Sequence, residues 1–156
     1  MSVKDNKKEE ALLVTRFIGD VLVSQLSIPP KQIVNDITFG KYTGSKRPDL
    51  IISEEEYNGI SDADKFVANA VAYAEVKDNC SVNDKDWKDA INQGKDKSLK
   101  LGLPFFIVTN CKTSIFYNAN NLKEIVLNTN PIREFQTIDI FRLIKNRLKL
   151  DPNCTN

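Results

Sequence analysis

Apolar residues first recur at three- and four-residue steps in KKEEALLVTRFIGDVLVSQL, residues 7 to 26, where Leu13, Val14, Phe17 and Val21 share one stripe. This spacing predicts an amphipathic helix, ended by Ser27, Ile28 and the Pro29-Pro30 pair because proline removes a donor and crowds the preceding turn. Glu10 falls on the same stripe, one turn ahead of Leu13, Val14 and Phe17, so its carboxylate points toward the core. The alternative is an acid in the first turn, favoured by the helix dipole and near water.

The pattern then changes period. QIVNDITFG, residues 32 to 40, reads as a strand ending at Gly40, and KYTGSK as a turn. RPDLIIS reads as a second strand with Pro48 at its start, where a strand tolerates proline best. EEEYNGISDADKF is polar and contains glycine, which predicts a long exposed hairpin or loop. VANAVAYAEVK, residues 67 to 77, reads as a third strand whose alanines suit close packing against a helix. Residues 84 to 102 are helical in pattern: Trp87, Ala90, Ile91, Gly94, Ser98 and Leu101 share one face, Gly102 is a stop signal, and Gln93, Lys97 and Lys100 share a flank. LPFFIVTN, 103 to 110, is the continuous apolar run of a central buried strand. TSIFYN pairs beside it through a short turn at Cys111 and Lys112. Residues 134 to 149 form a closing helix, with Ile140, Phe141, Ile144 and Leu148 on one side and Arg142, Lys145 and Lys149 on the other.

Helix, three strands, helix, two strands, helix is the order of an α/β protein with a mixed central β-sheet flanked by helices. The strand-helix-strand unit from 70 to 109 supplies a right-handed crossover. A single domain is expected, with a core over about 7 to 128 and NTNPI leading into the closing helix.

Composition narrows the chemistry. With 156 residues, 41% of them hydrophobic, the chain can bury one core without disulfide staples. Cys80, Cys111 and Cys154 are an odd number at scattered spacing, which fits a reducing cytoplasm and gives no zinc pattern. MSVKDNKKEE is charged and lacks the apolar stretch of a secretory signal, and no run approaches membrane-spanning length, so a cytoplasmic protein without a membrane partner is expected. The chain has no histidine, which excludes Ser-His-Asp and Cys-His machinery, His-ligated zinc and histidine-based nucleases. Chemistry must run on carboxylates, lysine or hydroxyls. Net charge is only +1, but Glu54, Glu55, Glu56, Asp62 and Asp64 crowd residues 54 to 64 without a base among them.

Asp49 stands early in one strand of this reading, and Glu75 and Lys77 share one face of a later strand because side chains alternate. If the two strands are neighbours, the carboxylates converge on one ion. Charges at the ends of apolar strands are costly unless a metal or a partner satisfies them; a structural salt bridge is the competing explanation.

RPD at 47 to 49 and EVK at 75 to 77 resemble the signature of the PD-(D/E)xK nuclease superfamily. With EEALLVTRFI, the strand-turn-strand before Asp49, AEVKD, the glutamine-bearing helix and LGLPFFIVTNCKTSIFYN, residues 9 to 118 resemble the N-terminal endonuclease domain of type I restriction enzyme R subunits. The resemblance implies a restriction-endonuclease-like core. It implies that Asp49 and Glu75 ligate Mg²⁺, with Mn²⁺ able to substitute, and that the Val76 carbonyl adds a ligand, as suits a hard cation that prefers oxygen. Lys77 would orient or deprotonate the attacking water. Glu10 matches the family's glutamate on the N-terminal helix, with Glu9 next in line. Gln93 corresponds to the glutamine of a QxxxY motif, but Lys97 stands where that motif has tyrosine, so an amine replaces a stacking ring. Lys97 and Lys100 are either contacts to DNA or part of a solvated helix face. Lys46 and Arg47 could steer DNA phosphates.

The function implied is an endodeoxyribonuclease, the cleavage module of a type I-like restriction-modification system acting on double-stranded DNA. No GxxxxGK[ST] pattern occurs, so the motor, methylase and specificity tasks would fall to other domains or subunits, with these residues a module of a larger restriction protein. A stand-alone repair or mobile-element nuclease, or a non-catalytic DNA- or partner-binding domain of the same fold, are the alternatives.

Overall fold

The computed structural model describes residues 14, 16–23, 28–35, 39–44, 50–77, 80–126 and 139–153. Five strands form one mixed sheet in sequential order: β1 (Ile33–Val34), β2 (Leu50–Ser53), β3 (Ala70–Val76), β4 (Phe105–Thr109) and β5 (Ser114–Asn118). β1, β2 and β3 pair antiparallel, β3 and β4 pair parallel, and β4 and β5 return to antiparallel. A parallel pair cannot be joined by a tight turn. The connection from β3 to β4 carries α4 (Lys85–Lys100), as the sequence predicts.

Every residue of β2, β3 and β4 is buried, because helices cover both faces of the sheet. On one face Leu50, Ile52, Ala72, Ala74, Val76, Phe105 and Ile107 join Phe17 and Leu22 of α1 (Phe17–Val23), which is wound as a π-helix and not with the expected 3.6-residue period, and the buried stripe Ile140, Phe141, Ile144 and Leu148 of α5 (Asp139–Leu150). On the other, Ile51, Tyr73, Phe106 and Val108 meet Trp87 and Ala90 of α4, and Ala63 and Phe66 of α3 (Ala63–Ala68). Period-2 alternation assigns the strand residues to their layers except at Val71 and Ala72, which share one layer where the β2–β3 register shifts. Trp87, Phe105 and Phe106 are fully buried, and Phe116 is partly buried beside Phe105 and Phe141.

α4 lies close against β4 at Gly94. A methyl group there would stand 2.5 Å from Phe106 Cδ2 and 2.8 Å from Cε2, on a ring that is itself buried and stacked against Tyr117. Alanine would gain about 1 kcal/mol in helix propensity over glycine, but the overlap is larger, because overpacking costs about 1–3 kcal/mol. Gly94→Ala is therefore expected to destabilise the chain by up to about 2 kcal/mol, read as a fall in melting temperature of about 2–4 °C per kcal/mol. An unchanged or raised melting temperature would contradict this close approach. The helix stops where the sequence places the stop: Leu101 caps it, and Gly102 takes a φ of 74°, which costs glycine least.

Four expected elements are corrected. The strand expected over 32 to 40 is only Ile33–Val34 long, and Gly40–Thr43 is a short helix, α2, closed by Gly44 in the left-handed region. The expected turn at KYTGSK accordingly begins within that helix. The expected loop after β2 holds a 3-10 turn at Ile60–Asp62 and α3, whose Ala63 and Phe66 supply a buried face three residues apart. That helix takes Val67 and Ala68, so β3 begins at Ala70. Among the described residues no helix is long and apolar enough to cross a membrane.

Candidate functional site

Antiparallel pairing sets the start of β2 against the end of β3: Leu50, the residue after Asp49 in sequence, is the partner of Ala74, the residue before Glu75. Asp49 itself lies outside the described residues, as do Glu9, Glu10, Lys46 and Arg47.

Glu75 stands on the α4 side of the sheet and is 2% exposed. A carboxylate at that depth needs compensation, and two groups provide it. The Tyr73 hydroxyl donates to Oε2 at 2.7 Å. Lys97 Nζ, from α4, donates to Oε1 at 3.0 Å and to Oε2 at 3.2 Å. The Lys97 side chain is only 14% exposed, and its ammonium also stands 5.9 Å from the centre of the Tyr73 ring. Lys97 is thus no solvated flank: α4 aims it at the sheet. Tyr73 escaped the sequence reading, although its place two residues before Glu75 puts both side chains on one face.

Lys77 follows β3 by one residue. Its backbone N–H donates to the Thr109 carbonyl at 3.0 Å, so pairing with β4 runs on beyond the strand, and its side chain is partly buried. Alternation turns it to the Glu75 side. Consistent with this, its charge opposes the effects that push the Cys80 thiol up, which are burial first and then Asp86 and Asp84; Cys80 belongs to the core on the α4 face. Among the described residues Lys77 makes no ion pair. Val76 faces away from Glu75, its side chain buried in the core under α5.

The rest of the expected flank is dispersed. Gln93 is exposed one turn before Lys97 on α4. Lys100 is exposed and pairs with Asp96 at 3.0 Å along the helix. It also crowds the α2 end, where a Cβ on Gly44 would lie 2.5 Å from Lys100 Nζ.

The acidic segment finds bases elsewhere in the chain. Glu54 pairs with Arg142, Glu55 with Lys65 at 3.5 Å, and Asp64 accepts from the Tyr42 hydroxyl, which that bond and then burial push up to about 12. The basic side of α5 is engaged too. Arg142 also meets Asp139 at 2.8 Å, and Lys145 Nζ donates to the Ala70 carbonyl at 2.7 Å; burial, then the Lys149 charge, lower the Lys145 pKa. Two clefts lie here. One of about 330 Å³ is lined by Glu54, Glu55, Glu56, Asn58, Asp62 and Lys65. The other, of about 220 Å³, lies between α5 and the α3–β3 junction, and Glu75, Lys77 and Lys97 line neither.

Among the described residues no three His, Cys, Asp or Glu side chains gather as a metal cluster. What they offer a divalent ion is one buried carboxylate that already carries a cation, with the backbone of Val76 next to it. Both oxygens of that carboxylate are engaged, by Lys97 and by Tyr73, so the described residues alone supply fewer oxygen donors than a hard divalent cation takes. Comparison with protein-family models, with curated proteins and with solved structures gives no match to this chain.

Proposed function

We propose that the chain is a Mg²⁺-dependent endonuclease domain with a PD-(D/E)xK core, the cleavage module of a type I-like restriction-modification system. The pairing of β2 with β3 is the observation that supports the reading: Leu50, the residue after Asp49 in sequence, is the partner of Ala74, the residue before Glu75. The order of elements supports it as well, with a helix, three strands paired in sequence, a crossover helix and a strand parallel to the third.

In this reading Asp49, Glu75 and the Val76 carbonyl hold Mg²⁺, and Glu10 completes the acidic site. Mg²⁺ bound there supplies charge stabilisation for the phosphate under attack. Lys77 orients the water or takes its proton, which is work for an amine that no carboxylate among the described residues pairs with. Gln93, Lys46, Arg47 and Lys100 contact the double-stranded DNA. Translocation, methylation and sequence recognition belong to other domains or subunits of the system.

One observation favours a second reading, a non-catalytic DNA- or partner-binding domain of the same architecture. Glu75 is already neutralised by Lys97 and hydrogen-bonded by Tyr73, as a structural ion pair would be. Supercoiled plasmid and a Mg²⁺ titration of the whole chain separate the two. The nuclease is expected to nick only with Mg²⁺. Asp49→Asn should lose both ion and cutting, and Lys77→Ala should keep the ion while cutting falls about 10²–10⁴-fold. A chain that binds DNA in EDTA and takes up no Mg²⁺ is the binding module.

A further inference from the structure

We propose that the cleft between α5 and the α3–β3 junction is a binding site for a phosphate dianion, held by Lys145 and Lys149. The site does not rest on the nuclease reading. Lys145 reaches β3 at Ala70, its first residue, whereas Glu75 lies near the other end of the strand, roughly 16 Å away at about 3.3 Å per residue.

One face of α5 supplies the basic wall. Arg142, Lys145, Asn146 and Lys149 recur at three- and four-residue steps, and they line a cleft of about 220 Å³ with Glu54 and Asn69. Charge is not balanced there. Glu54, the carboxylate in the lining, pairs with Arg142, and Arg142 meets Asp139 as well. Neither Lys145 nor Lys149 makes an ion pair among the described residues. The two stand four positions apart on the helix, where like charges repel. A cation in the last turn suits the helix dipole, which accounts for Lys149. It does not account for Lys145, which lies further back and is partly buried. Its Nζ donates to the Ala70 carbonyl at 2.7 Å, which fixes the ammonium at the cleft and leaves two of its three N–H groups for a ligand. Burial and then the Lys149 charge lower its pKa against the opposing effect of Glu54. An anion between the two ammonium groups removes their repulsion and favours the charged form of both.

Size and charge select the anion. The cleft is smaller than the roughly 300–1,000 Å³ that enclose a drug-sized ligand and several times the about 30 Å³ share of one water, so it admits a single anionic head group. Free phosphate or a phosphate monoester carries a charge of about −1.5 to −2 at neutral pH, which two uncompensated lysines match. Each phosphate of a DNA backbone carries only one charge. Asn146, whose side chain makes no hydrogen bond among the described residues, adds a neutral donor for a phosphate oxygen.

Calorimetric titration of the whole chain with inorganic phosphate tests the site. The wild type is expected to bind one phosphate saturably. Lys145→Met and Lys149→Met should each weaken binding at least about tenfold, as loss of a hydrogen bond to a charged group does. Arg147→Met removes an equal charge from α5 outside the cleft and should leave binding unchanged. Absence of saturable binding to the wild type, or an equal loss in Lys149→Met and Arg147→Met, overturns the site. Should Lys145→Met fail to fold for want of its bond to β3, the exposed Lys149 decides the matter through its own variant. Phosphoserine binding as tightly as inorganic phosphate assigns the cleft to a monoester, and its exclusion assigns the cleft to free phosphate; either supports a dianion site. A DNA duplex with unphosphorylated ends is expected not to displace bound phosphate, and displacement by it overturns the preference for a dianion.

Discussion

Lys97→Met is expected to lower stability by about 3–5 kcal/mol in EDTA, because it leaves a buried carboxylate without its counter-charge. For a chain of this size that is a fall in melting temperature of roughly 6–20 °C. The two halves of the pair are unequal. Glu75 is 2% exposed and has nowhere to go, whereas Lys97, at 14%, can reach water along its stem. Glu75→Leu is therefore expected to cost less than Lys97→Met. The double variant Glu75→Leu/Lys97→Met should recover most of the loss, since an apolar pair of similar volume needs no compensation. Urea denaturation of the four proteins measures all three effects. A single-variant cost below about 1 kcal/mol would mean that the pair is screened as a surface bridge is.

Trp87→Ala is expected to be as severe, at about 3–5 kcal/mol. The indole is fully buried, and its Nε1 donates to the Tyr117 hydroxyl at 2.8 Å, which ties α4 to β5 across the packed layer. Truncation would open a cavity and leave the Tyr117 hydroxyl without that donor. Trp87→Phe should cost only about 1–3 kcal/mol, since most of the volume stays and one hydrogen bond goes. Far-ultraviolet circular dichroism against urea is the suitable probe, because Trp87 is the only tryptophan. Because α4 also carries Lys97, loosening its seat should weaken the grip on Glu75. A Trp87→Ala cost below 1 kcal/mol would show that α4 is held by other contacts.

The second half of the fold is legible in the sequence because its periods are long and unbroken. FFIVT is continuous enough to read as a buried strand, and α4 and α5 each run far enough for a 3.6-residue stripe to emerge. The first half is harder. α2 has four residues and α3 six, too few for any period to show, and their polar surroundings resemble a loop. Ion pairing is hidden for another reason. Lys97 is 22 positions from Glu75 and Arg142 is 88 from Glu54, and no local pattern records which charge a distant element will meet. Spacing could establish that Lys97 shares a flank with Gln93 and Lys100. Only the packing of α4 on β3 turns Lys97 alone toward the acid. The alternation that pairs Glu75 with Lys77 extends back to Tyr73, so the third group on that face was within reach of the sequence.

The most direct test of a cation site on Glu75 is diffraction from crystals soaked in Mn²⁺ at a wavelength that gives manganese an anomalous signal. The nuclease account predicts a peak at coordinating distance from the carboxylates of Glu75 and Asp49, with the Lys97 ammonium turned away. Saturated crystals with no peak there, and Lys97 still bonded to both oxygens of Glu75, would contradict it.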